Sequence, residues 1–371
     1  MDAIVFLAGI LLGIAAGLLP GIHPNSIASM LSTVPLDAGL LALLLIAMFP
    51  ANIIASFIPA VFFGIPDEST FISALPGQRM TLQGKGLTAM KTILLSILVA
   101  TAFSALLLYP SLFLFPFAYS LISPFLKYIV LGLSAILIIR SKNPLLALPV
   151  FLCAGLLGYF SLNSGIYDPF MPLFSGMFAV GSLLSITESR IPEQKKEEPF
   201  SKALLPYILL GVLFGMFADL LPGISSPAQV AVFMGLAVPM DSLAYLSSIG
   251  SISISQAAFS LSTEVSMDKS RVGTTAWLSE FTDIGQNLPL LTAFFLLSAA
   301  ITAFLLYTAR KKISAIATLN SRPIAIVLIV YLFAITALLD GFTGIAIFAV
   351  ASALGWVTVR LGVERTQLMG A

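Results

Sequence analysis

Residues 13–22 read GIAAGLLPGI, and residues 215–224 read GMFADLLPGI. Val34-Pro35-Leu36-Asp37 follows the first copy and Val238-Pro239-Met240-Asp241 the second. A third echo pairs Gly86-Leu87-Thr88-Ala89 with Gly273-Thr274-Thr275-Ala276, with Lys85 and Arg271 just upstream. In both copies a long apolar run is interrupted by Pro-Gly. Pro removes a backbone donor and blocks helix continuation, while Gly admits torsions closed to other residues. Inside a bilayer the freed backbone groups are tolerated only where protein or a water-filled cavity receives them. Broken hydrophobic segments at matching points of two halves are the sequence mark of a transporter's binding site.

Composition places those runs in a membrane. Hydrophobic residues make up 58% of the 371-residue chain and charged residues 9%, with a mean hydropathy of +1.05. A soluble domain carries about 25% charged residues. The net charge of +1 gives no ground for a nucleic-acid partner. Cys153 lies alone in an apolar run and has no internal disulfide partner. One His and one Cys cannot build a zinc site. Neither a Gly-x-Ser-x-Gly nor a P-loop signature occurs, so no enzyme is expected and no cofactor beyond a coupling Na⁺ or H⁺.

A bilayer span needs roughly 20 apolar residues. The candidate runs are 3–19, 38–64, 87–109, 118–139, 144–162 and 170–187, then 203–221, 229–261, 287–309, 323–339 and 343–359. Residues 3–19 lead directly into the repeated motif and read as a mature span. Pro50, Asn52 and Pro59 interrupt 38–64, and a Ser-rich stretch interrupts 229–261, so each reads as a helical hairpin, re-entrant or spanning. The expectation is an all-α polytopic membrane protein of about 9–12 transmembrane helices. Residues 1–187 form a first repeat with extra helices, 188–202 a polar, solvated linker, and 203–371 a second repeat. Arg190, Lys195, Lys196 and Lys202 place the linker in the cytoplasm, and Arg360 and Arg365 place the C-terminus there. Counting spans back from the linker gives the two Leu-Leu-Pro-Gly-Ile copies opposite orientations, which makes the repeats inverted.

A helix restarting after a break offers free N–H groups and a positive dipole end to an anion. Pro20, Gly21, His23, Asn25 and Ser26 at the first break, and Pro222, Gly223, Ser225 and Ser226 at the second, are therefore the candidate substrate-binding residues. His23 is the only histidine and has a substrate or proton role open to it. Asp219 stands one residue before the second Leu-Leu-Pro-Gly-Ile, where the first half has Gly17. A carboxylate within an apolar span is costly, so Asp219 is the candidate ion-coupling residue. Segments 65–86 and 262–286, read as paired loops, add Arg79, Lys85 and Arg271 as cations suited to a carboxylate.

The stretches Pro20-Gly21-Ile22-His23-Pro24, Val34-Pro35, Ile65-Pro66-Asp67-Glu68-Ser69-Thr70 and Pro76-Gly77-Gln78-Arg79-Met80, with Gly84, Gly86 and Ala89, resemble the large permease subunit of tripartite tricarboxylate transporters, TctA. The likeness covers residues 10–92 well and 211–290 more weakly, that of a short, divergent member. The family's glycine-rich Tyr-Gly-Ala…Gly-Gly-Ser segment is replaced here by Phe49-Pro50-Ala51-Asn52-Ile53-Ile54-Ala55-Ser56. The resemblance implies a plasma-membrane secondary transporter for a di- or tricarboxylate, driven by Na⁺ or H⁺. It also implies a small membrane subunit and an extracytoplasmic binding protein as partners; a homodimer stays open. Pro222-Gly223-Ile224-Ser225-Ser226 also resembles the re-entrant motif of polyprenyl-phosphate translocases, which gives a lipid-carrier transporter as the alternative.

Overall fold

The computed structural model describes residues 2–19, 24–65, 70–184, 191–194, 197–221, 226–269, 272–318 and 321–371. It is all-α, with no strand among the described residues. The first half runs α1 (Asp2–Leu18), α2 (Pro24–Ser32), α3 (Ala38–Ile58, continued by a π turn Pro59–Phe63), α4 (Phe71–Leu82) and α5 (Gly86–Ile122). Four further helices follow: α6 (Leu126–Ile139), α7 (Pro144–Leu162), α8 (Phe170–Phe174) and α9 (Gly181–Leu183). The second half repeats the opening order with α10 (Leu205–Ala218), α11 (Pro227–Ala237), α12 (Ser242–Met267), α13 (Gly273–Phe281) and α14 (Ile284–Ala317), then adds α15 (Ser321–Arg360).

Pairing across the halves follows the same correspondence. α1 packs on α3 as α10 packs on α12; α3 meets α14 as α12 meets α5; α2 meets α13 as α11 meets α4. One apolar core runs through these ten helices. A smaller layer of α7, α8 and α15 has its own clusters. Outward-facing Phe113, Leu338 and Phe342 are 84%, 83% and 86% exposed, a surface suited to hydrocarbon rather than water.

Five helical runs are long and apolar enough to cross a membrane: 38–63, 86–139, 144–162, 284–316 and 325–360. Two of them hold enough residues for two crossings each. In 325–360 the division falls at Gly341 (φ 59, ψ −149), between the spans expected at 323–339 and 343–359. That backbone region is essentially confined to glycine.

Three sequence expectations are corrected. Segment 38–64 is one continuous helix, not a hairpin. Pro50 costs its helix one bond, and buried Ser298 of α14 donates to the neighbouring Ala47 carbonyl at 2.5 Å. Segment 229–261 does divide, but at residues 238–241, ahead of the serines. Those serines lie inside α12 and return their hydroxyls to its own carbonyls, as Ser251 does to Ser247 O (2.8 Å) and Ser255 to Ser251 O (2.6 Å). The paired loops 65–86 and 262–286 each contain a helix, α4 and α13.

The linker is largely exposed and is pinned to the helices at several points. Gln194 Oε1 accepts from Gly86 N (2.7 Å), and Glu198 N donates to Thr88 Oγ1 (3.1 Å). Glu197 lies between Lys91 of α5 (3.7 Å) and Arg310 of α14 (2.7 Å), ion pairs that are 11–18% exposed. Glu197→Gln is expected to cost about 2 kcal/mol, since a partly buried, charge-assisted bond is lost. Lys85→Gln, whose pair with Glu198 (2.8 Å) is about half exposed, is expected to change little. Thermal unfolding of both variants in detergent checks the ranking.

Candidate functional site

Small residues bring the site together. Along α1, a Cβ at Gly9 would lie 2.5 Å from Leu44 O and one at Gly17 2.5 Å from Asn52 O; one at Gly13 would collide with Met48 O. Along α10, a Cβ at Gly211 would lie 2.8 Å from Ser248 O, and one at Gly215 would collide with Ser255 Oγ. Only glycine lets the axes come so close. In both pairs the contacts advance together along the chain, so α1 runs parallel to α3 and α10 parallel to α12.

That register fixes the path of the chain. α1 ends beside Asn52, yet α3 begins at Ala38, four turns back along the same axis. The intervening chain, α2 included, must therefore return by about 20 Å at 1.5 Å per residue. The same holds for α11 between the end of α10, beside Gln256, and the start of α12 at Ser242. Each half thus contains a re-entrant hairpin. Asn52 and Gln256 stand about midway along their helices, so α1 and α10 end at mid-depth.

Asp219 is the C-cap of α10 and is 2% exposed. Gln256 Nε2 donates to its Oδ1 (3.0 Å) and Thr263 Oγ1 to its Oδ2 (3.4 Å). Thr263 also donates to Ser260 O (3.0 Å), and Ser260 shares a hydroxyl bond with Thr275 (2.6 Å) in the first turn of α13. All these side chains are buried. The polar track therefore leads from the second hairpin to the start of α13. There Gly273 has no room for a Cβ because the Asn25 side chain of the first hairpin fills the space. The first turn of any helix leaves N–H groups without intrahelical partners. α2 and α13 bring two such turns together at the end of a track that starts on a carboxylate.

The candidate residues divide as follows. Asn25 and Ser26 open α2, with Ser26 buried; Ser226, also buried, is the extended N-cap of α11. Pro20, Gly21, His23, Pro222, Gly223, Ser225 and Arg271 lie outside the described residues. Arg79 is exposed in the last turn of α4, and Lys85 is held by Glu198 on the linker. Neither takes part in the Asp219 track. Sequence reasoning missed Gln256, which was hidden among serines, and the buried carboxylates Asp168 and Asp340. Asp340 was legible as an acid between two apolar runs. Asp168 becomes notable only once the fold brings 163–169 against α2.

An all-α chain with an apolar outer surface, two re-entrant hairpins and a buried polar track between them is a membrane transport protein. The family model of the tripartite tricarboxylate transporter TctA family matches residues 3–206, more than half of the chain, and the chain belongs to that family. It is also similar to the uncharacterized protein MJ1079 of Methanocaldococcus jannaschii, with 27% identity over 328 residues, covering 84% of this chain and 81% of the relative. No solved structure matches it.

Proposed function

We propose that the chain is a secondary active transporter for a small organic anion of the di- or tricarboxylate class. The observation that carries this reading is the buried polar track that leads from Asp219 at the end of α10, through α12 and α13, to Asn25 at the start of α2. Helix starts in the interior supply N–H donors and a positive dipole end to a carboxylate without the cost of burying a cation. Pro20, Gly21, His23, Asn25 and Ser26 from one hairpin, and Pro222, Gly223, Ser225 and Ser226 from the other, enclose the anion. Arg79, Lys85 and Arg271 attract it towards the entrances, and Asp219 holds the coupling Na⁺ or H⁺.

The two halves act as inverted repeats that rock around this fixed site and expose it to each side in turn. The linker, joined to Lys85, Lys91 and Arg310, marks the cytoplasmic face. In this reading a small membrane subunit and an extracytoplasmic binding protein deliver the substrate.

Thermal unfolding of the purified protein with citrate, succinate, inorganic phosphate or polyprenyl phosphate tests the substrate class. A ligand bound by the native state alone, at a hundredfold excess over its Kd, stabilises by about 2.7 kcal/mol. A rise in Tm with a carboxylate, larger with Na⁺ or at lower pH, is the expected result. A rise with polyprenyl phosphate alone overturns the carboxylate reading in favour of a lipid carrier.

A further inference from the structure

A second acidic centre lies beside the first hairpin, away from the Asp219 track. Ser26 Oγ of α2 donates to Asp168 Oδ2. Asp168 Oδ1 accepts the backbone N–H groups of Phe170 and Met171 (both 3.2 Å), and the Asp168 N–H donates to Asp340 Oδ1 (2.8 Å). The two carboxyls are 7% and 8% exposed. Asp340 Oδ2 is sealed from water and has no donor among the described residues.

Among the described residues no ion pair reaches Asp168 or Asp340. α2 and α8 carry no titratable side chain. Segment 163–169 brings Asp168 itself and Tyr167, whose phenol bonds Ser29 (2.8 Å). α7 carries Cys153 and Tyr159; α15 carries Tyr331 and, 18 and 20 residues from Asp340, Arg322 and Arg360, and the 365–370 helix packed on α7 and α15 carries Arg365, which donates to Ser182 Oγ. His23, next before α2, lies outside the described residues. Among the described residues, the Lys and Arg ion pairs all involve the linker.

A buried carboxylate without a counter-charge costs several kcal/mol, and a second one nearby adds repulsion. One proton removes a charge and turns an acceptor lacking a donor into an O–H donor. Asp168 already has three donors; Asp340 accepts backbone N–H groups of Asp168 and Tyr167, and among the described residues none is placed on its Oδ2. We propose that Asp168 and Asp340 form a proton-binding site, with the proton on Asp340, distinct from Asp219 and tied to the first hairpin through Ser26. This deepens the coupled-transport reading and rests on it for its purpose. Moving the hairpin changes a donor to Asp168, so hairpin position and proton occupancy are linked in both directions.

Infrared difference spectroscopy on the protein in liposomes tests the site without any substrate, so its outcome is independent of the carboxylate reading. A protonated-carboxyl C=O band is expected at neutral pH, shifted in D₂O, kept in Asp219→Asn and lost in Asp340→Asn. Asp168→Asn is expected to shift it, since the Asn keeps the contact but removes the repulsion. Absence of the band from the wild type, or its persistence in Asp340→Asn, overturns the proposal. So does its removal by Na⁺ at fixed pH, which would assign the site to sodium. Should Asp340→Asn not assemble, Ser26→Ala decides: a shifted band supports the site, and an unchanged one overturns it.

Discussion

Gly13→Leu and Gly215→Leu, each made alone, are expected to abolish folded protein, while Gly132→Ala leaves it intact. A Cβ at Gly13 would overlap the Met48 carbonyl, and one at Gly215 the Ser255 hydroxyl, with Ile252 O at 2.7 Å. Backbone cannot step aside as a flexible side chain can. Overpacking a good core typically costs 1–3 kcal/mol, and clashes with main chain exceed that. Native stabilities of about 5–15 kcal/mol leave little margin when a hairpin is also pushed away from its helix. Gly132 of α6 has nothing within 4 Å of the added atom, and Ala there favours the helix by up to about 1 kcal/mol. Monodisperse yield in size-exclusion chromatography and thermal unfolding separate the cases. A folded Gly13→Leu protein with unchanged Tm would show that α1 does not seat on α3 in this register.

The same glycines show what the sequence disclosed. Gly9, Gly13 and Gly17, and then Gly211 and Gly215, recur every four residues, and both Leu-Leu-Pro-Gly-Ile copies follow them. Local chemistry alone located both helix ends, because Pro-Gly acts within a few residues. The hairpin's extent was not legible in the same way. Pro50 and Pro59 suggested a break in 38–64, but tolerance of an internal proline is decided by neighbours such as Ser298, far away in the chain. The serines of α12 misled for a related reason: inside a helix they bond their own carbonyls and need no turn. Asp219 was legible because it stands alone in an apolar run. Its partners Gln256 and Thr263, at 37 and 44 residues' separation, were not.

Asp219→Asn is expected to uncouple transport while leaving the fold nearly unchanged. The amide fits the same volume, its oxygen still accepts from Gln256, and its NH₂ can turn to the Thr263 hydroxyl. Asp219→Ala would instead remove the acceptor for both donors, at about 1–3 kcal/mol. The Asn variant is therefore the cleaner probe of charge. The aspartate can take up and release a coupling cation, whereas the amide carries no charge at any working pH. In proteoliposomes with imposed Na⁺ or H⁺ gradients, the wild type should accumulate a carboxylate above its external concentration. The variant should bring it only to equality, with counterflow exchange retained. Exchange isolates binding and reorientation from coupling, so a failure of both would point to the fold instead. Continued uphill uptake by Asp219→Asn would remove Asp219 from the coupling role and leave the Asp168–Asp340 pair as the remaining buried acids among the described residues able to hold the driving ion. Uphill uptake lost in Asp219→Asn and in Asp340→Asn alike would mean that both hairpins carry a cation station, one for each half of the molecule.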